Sequence, residues 1–85
     1  LAGDSTMQDL LRGAFARFRE GLNERDRQIW DERLQAEEPL RLEDLGDRFG
    51  VSKERVRQLE VRIKKRLKTF LEEELGDEVI IEALN

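Results

Sequence analysis

Lys53, Glu54, Arg57 and Gln58 bring three hydrogen-bonding chemistries together within six residues. Arginine or lysine donates to guanine O6 and N7, glutamine bonds the exposed edge of adenine, and glutamate accepts from the cytosine amino group. At about 100° per residue, these four side chains and Val61 share one side of a helix, opposite Val56, Leu59 and Ile63. A helix that is only solvated more often alternates Glu and Lys at four-residue spacing. This face therefore reads as one that recognises base edges, with a plain solvated basic face as the alternative.

Other chemistries find little support in the composition. The chain of 85 residues has no histidine and no cysteine, so the commonest general base, the commonest metal ligand and every thiolate site are missing. The acidic runs Glu37-Glu38 and Glu72-Glu73-Glu74 resemble paired carboxylates, but with no histidine and no glycine-rich phosphate loop they read as solvated surface. No catalytic residue, metal site or cofactor is expected. There is no signal-peptide pattern and no apolar run near the ~20 residues that span a bilayer. The chain starts at Leu1 and reads as a piece of something longer.

The net charge of −4 conceals a sharp pattern. Residues 53–68 carry eight basic and two acidic side chains, a local +6. The 52 residues before them sum to −4, and the 17 after them hold six acids and no base. Local field governs binding to a polyanion more than net charge does.

The elements that must position this face are helical throughout, in one domain over residues 1–85. Met7, Leu10, Leu11, Ala14, Phe15 and Phe18 form one apolar stripe, with Asp4 or Ser5 as its cap and Gly21 as its end. Gly13 inside that helix suggests a close approach by another helix. Asn23 caps a second helix carrying Ile29, Trp30 and Leu34, with Asp26 as a weak capping-box partner. Glu37-Glu38-Pro39 is a loop, and a short helix follows over Leu42 to Phe49. Gly50-Val51 makes a turn, Ser52 caps the next helix, and that helix runs to about Leu75 with Gly76 as its stop. Asp77 then caps a final turn carrying Val79, Ile80, Ala83 and Leu84. Leu42, Leu45, small Gly46, Gly50, Val56 and Leu59 meet the spacing of a helix-turn-helix over about 42–68. The fold class is all-α, with four to five helices, a C-terminal helix-turn-helix and an acidic tail over 71–85.

The strings NERDRQIWDE (Asn23 to Glu32), LEDLGDRF (Leu42 to Phe49) and GVSKERVRQLEVRIKKRLK (Gly50 to Lys68) resemble region 4 of primary-type bacterial sigma factors, with the heat-shock group nearest in wording. The likeness spans roughly residues 10–70. It implies a cytoplasmic, nucleoid-associated transcription-initiation protein that is not an enzyme. Its domain would bind the −35 promoter element in double-stranded DNA and dock on the β flap of core RNA polymerase. Anti-sigma factors and transcription activators are further implied partners. By the same resemblance, Lys53, Glu54, Arg57 and Gln58 contact bases. Arg33, Arg41, Ser52 and Arg55 contact phosphates or anchor the motif, and Arg62, Lys65 and Lys68 face activators. Leu34 and Leu67 match positions near the flap-binding surface, with ordinary core leucines as the alternative. Trp30 reads as core, with a groove for a partner helix on the polymerase-flap side as the alternative. Two positions depart from the family pattern. Arg41 stands where a threonine commonly caps the first helix of the motif, and Lys53 where arginine or a small residue is usual. Two rival readings remain. One is an interaction module that binds polymerase, an anti-sigma factor or itself without reading sequence. The other is a different DNA regulator, such as a two-component output domain, which requires a dimer and a palindromic site.

Overall fold

A computed structural model describes the backbone of residues 2–76 and the side chains of residues 8–76. Among the described residues four α-helices run in order: α1 (Ala2–Glu20), α2 (Glu24–Ile29), α3 (Leu42–Phe49) and α4 (Lys53–Leu75). A π-helical turn, Trp30–Leu34, continues α2 without a break. No strand occurs among the described residues, as the all-α reading expects. The turn expected from Asp77 lies outside the described residues.

Local chemistry accounts for most of the helix ends. Asn23 Oδ1 accepts the Asp26 N–H at 2.8 Å, and Ser52 Oγ accepts the Arg55 N–H at 3.1 Å, each satisfying a donor that a helix start leaves free. The carboxylate of Asp26 does not complete a capping box; it turns to Arg25 and Arg66. Gly50 closes α3 in the left-handed region at φ 71°, and the Val51 N–H reaches back to the Gly46 carbonyl. Gly76 stops α4 at φ 86°, its N–H on the Glu72 carbonyl.

Three local expectations change. Helix α1 begins at Ala2, so Asp4 and Ser5 lie inside it; each residue added to an existing helix gains a hydrogen bond, and a helix can run past the first residue able to cap it. A Cβ on Gly13 would meet only the Arg17 guanidinium at 3.4 Å among the described residues, so none of the described helices packs closely there. Leu10 is 44% exposed, and the buried stripe of α1 runs instead through Ala14 and Phe18, with Leu11 and Phe15 half-buried.

The main core joins all four helices through Phe18, Leu22, Ile29, Trp30, Leu45, Val56, Leu59 and Ile63. Trp30 is 3% exposed and sits beneath an edge-on contact with Phe15 and a tilted one with Phe18, at ring separations of 5.7 and 5.3 Å. It is a core residue and leaves no face for polymerase, which corrects the partner-groove expectation. A smaller cluster, Ala14 and Leu71 flanked by Leu11, Phe15, Leu67, Phe70 and Leu75, zips α1 to the second half of α4.

Candidate nucleic-acid interface

The angle between α3 and α4 depends on a glycine. A Cβ on Gly46 would stand 2.6 Å from the Val51 carbonyl oxygen, so only hydrogen lets the turn fold this tightly against α3. Leu45, Val56 and Leu59 then lock the two helices through fully buried contacts. Their inward placement turns Lys53, Glu54, Arg57 and Gln58 outward together, and all four are exposed on the first turns of α4.

Two of these four side chains hold each other. Arg57 Nε lies 3.1 Å from both Glu54 carboxylate oxygens and its Nη2 2.5 Å from Oε1, a bidentate pair one helical turn apart. The hydrogen bond from Arg57 lowers the Glu54 pKa below the ordinary carboxylate value, against an opposing desolvation and with the attraction of the guanidinium adding to it. The same bond raises Arg57 further, so both groups stay ionised at neutral pH. Lys53 makes no ion pair among the described residues.

The residues expected at phosphates separate into two groups. Ser52, Arg41 and Arg55 remain at the surface or its edge. Ser52 accepts the capping bond and keeps its hydroxyl proton to donate. Arg41 occupies the cap position of α3 with no side-chain cap bond, so the loss of the usual threonine is real; its guanidinium instead pairs with Asp44 at 3.4 Å. That bond to Asp44 raises the Arg41 pKa. Arg33 differs. Its Nε lies 2.5 Å from Glu60 Oε1, and its Nη1 donates to the Leu40 carbonyl at 2.9 Å. The guanidinium is thus engaged inside the fold, tying the π turn, the 35–41 loop and α4 together. Arg33 anchors the motif, and the phosphate contact expected of it gives way to that role.

Glu60 is the residue that reading from sequence missed. It is 6% exposed, about 40° around α4 from Val56 and thus on the apolar side. A carboxylate there requires a cation, and that requirement was the available signal for Arg33. Three more arginines do structural work. Arg27 donates to the carbonyls of Arg19, Glu20 and Leu22, closing the end of α1. Arg19 forms a two-pronged pair with Asp31 at 2.8 and 2.6 Å. Arg48 ties α3 to Glu32 and Gln28.

Arg62, Lys65 and Lys68 are all exposed, spread over about 120° of the outer surface of α4. Lys65 also borders a groove of about 440 Å³ between α1 and α4, floored by Phe18 and Phe70. Leu34 and Leu67 are half-buried against the main core. Among the described residues no group of acids could hold a metal ion, and no helix is long and apolar enough to cross a membrane.

Comparison with known proteins agrees with this geometry. The chain is 43% identical over 53 residues to the RNA polymerase sigma factor RpoH of Rhizobium radiobacter, covering 62% of this chain and 18% of that protein. It is 41% identical over 63 residues to RpoH of Zymomonas mobilis, covering 74% and 21%. Against the RNA polymerase sigma-B factor of Myxococcus xanthus the figures are 46% over 50 residues, 59% and 20%. The chain thus spans about a fifth of the length of these curated relatives. No solved structure matches it. The two RpoH relatives agree with the heat-shock group to which the sequence resemblance pointed. The family profile described as Sigma-70, region 4 matches residues 20–69, which take in α2, the π turn, α3 and most of α4. The chain belongs to the sigma-70 region 4 family.

Proposed function

We propose that this domain recognises the −35 element of promoter DNA by laying the start of α4 in the major groove, while docking on the β flap of RNA polymerase. The observation that carries the reading is the division of α4. Val56, Leu59 and Ile63 are buried in the helix-turn-helix core, and Lys53, Glu54, Arg57 and Gln58 stand exposed on the opposite side. A recognition helix presents its N-terminal residues to base edges in this way. Ser52, Arg41 and Arg55 hold the flanking phosphates, fixing register without reading sequence. Leu34 and Leu67 border the polymerase-facing side, and Arg62, Lys65 and Lys68 meet activators. The relatives are named as RNA polymerase sigma factors, which supports polymerase as the partner and the cytoplasm as the place of action.

Selection of bound sequences from a random duplex pool tests the reading. Enrichment of one asymmetric site, bound at least tenfold more tightly than random duplex, is the expected result. An absence of enrichment would favour a module that binds only protein, and a palindromic site bound by a dimer would favour an output domain.

A further inference from the structure

Ten residues of α4 between Lys53 and Lys68 are exposed, and Val61 is the only one of them without a polar or charged end. It is 40% exposed. An isolated surface valine is ordinary, but the position of this one is not. By helical rotation it stands about 20° from Glu54 and about 40° from Arg57, one turn further along the same face. It belongs to neither hydrophobic cluster, and Val56, Leu59 and Ile63 fill the buried side. The helix gains nothing from it, because valine favours helix less than alanine does.

We infer that Val61 reads a thymine through its 5-methyl group, extending the base-contacting face beyond Lys53, Glu54, Arg57 and Gln58; this rests on the proposed recognition of duplex DNA by α4. The surroundings define the ligand. Arg57, one turn before Val61, and Lys64, one turn after it, are exposed cations on the same side of α4, so whatever meets Val61 is anionic around its rim. A single valine between charged and polar neighbours offers no continuous patch for an apolar protein surface. In the major groove, the thymine methyl is the apolar group that a side chain meets among hydrogen-bonding edges. Val61 lies about 12 Å along the axis from Lys53, still within the first turns that a groove about 12 Å wide can admit. Its β-branch restricts the side chain to one rotamer, so the two methyl groups are held in place before contact.

The test replaces each thymine of the selected site in turn with deoxyuridine, which removes only the methyl. Binding is measured with the wild-type domain and with Val61→Ala, whose helicity is checked by circular dichroism. One substitution should weaken wild-type binding about fourfold, the worth of one buried methyl. The same substitution should cost less in Val61→Ala, whose Cβ alone can reach toward the methyl, with the other positions unchanged between the two proteins. Retained preference for the site with every deoxyuridine neutral would overturn this inference alone. So would a methyl effect of undiminished size in Val61→Ala, or a selected site without thymine. Loss of all preference between selected and random duplex would overturn the base-reading itself, and this inference with it.

Discussion

Two ion pairs lie on different sides of α4. Arg33–Glu60 is on the inner side, with the Glu60 side chain 8% exposed, the Arg33 side chain 26% exposed and a further bond to the Leu40 carbonyl. Glu54–Arg57 is on the outer side, with both side chains more than half exposed and no partner from another element among the described residues. The chemistry is the same and the geometry similarly tight. The inner pair spans 27 positions and fixes where α4 sits, whereas the outer pair spans one turn and fixes only how two readers stand before DNA arrives. Burial decides the difference. A charge removed from water depends on its partner, while an exposed one can exchange its partner for water or for a base at little cost.

The largest expected effect follows from breaking the inner pair. Arg33→Ala strands the Glu60 carboxylate and leaves the Leu40 carbonyl without this donor. Removing one partner of a buried pair costs about 3–5 kcal/mol, and the partial exposure of Arg33 places this case near ~3 kcal/mol. That is a large share of the stability on the order of 5–10 kcal/mol expected for a domain this small. Urea unfolding should show the loss. If Arg33→Ala left stability intact and made DNA binding less salt-dependent, the anchor role would be wrong and the phosphate role restored.

Gly46→Ala comes next, because it strikes the contact between α3 and the turn that leads into α4. The new Cβ would meet a backbone oxygen at 2.6 Å, which cannot rotate away as a side chain would. Overpacking of this kind costs about 1–3 kcal/mol. Thermal melting should fall, and sequence discrimination should fall with it, because relief requires α4 to tilt away from α3. A drop in melting temperature with discrimination unchanged would show that the reading face does not depend on the α3–α4 angle.

Residues whose role is local were legible from sequence. Ser52, Gly50 and Gly76 act on donors, turns and helix ends within a few positions of themselves, and chain order is enough to place them. The reading face was legible for the same reason, since one helix carries all of it. What stayed hidden needed two distant segments at once. Arg33 and Glu60 are separated by a loop, the whole of α3 and a turn, and only packing shows that one answers the other. Trp30 was ambiguous until Phe15 and Phe18 closed over it. Leu10 fits the period of the α1 stripe, yet none of the described neighbours buries it. The π turn has no signature in the residues Trp30 to Leu34, and we have no physical account of why the helix widens there.

Arg57→Ala acts on the outer pair, where the expected effect moves from stability to recognition. Melting should stay close to wild type, while preference at one base relaxes and specific binding weakens roughly tenfold or more. Unchanged preference would remove Arg57 from the reading face. Glu54→Ala combined with Arg57→Ala sharpens this, since two side chains that pair with each other should give non-additive losses.

The smallest effect concerns the charge of Glu54. Glu54→Gln removes an acid from a face that meets a polyanion and leaves Arg57 free to contact phosphate. Non-specific binding should therefore tighten, and the slope of log K against log salt should steepen by up to ~0.9, one additional phosphate contact. Acid should not reproduce this at mild pH. The folded pKa of Glu54 lies below its ordinary value, so the pair is fully formed above the ordinary carboxylate range and opens only as pH falls through the lowered folded value. Between neutrality and about pH 5, still above the ordinary carboxylate range, the wild-type domain should keep its salt slope while Glu54→Gln keeps its steeper one. Convergence of the two slopes over that interval would mean that Glu54 is not held by Arg57 in solution, and the contrast between the inner and outer pairs would then reduce to one pair and two independent side chains.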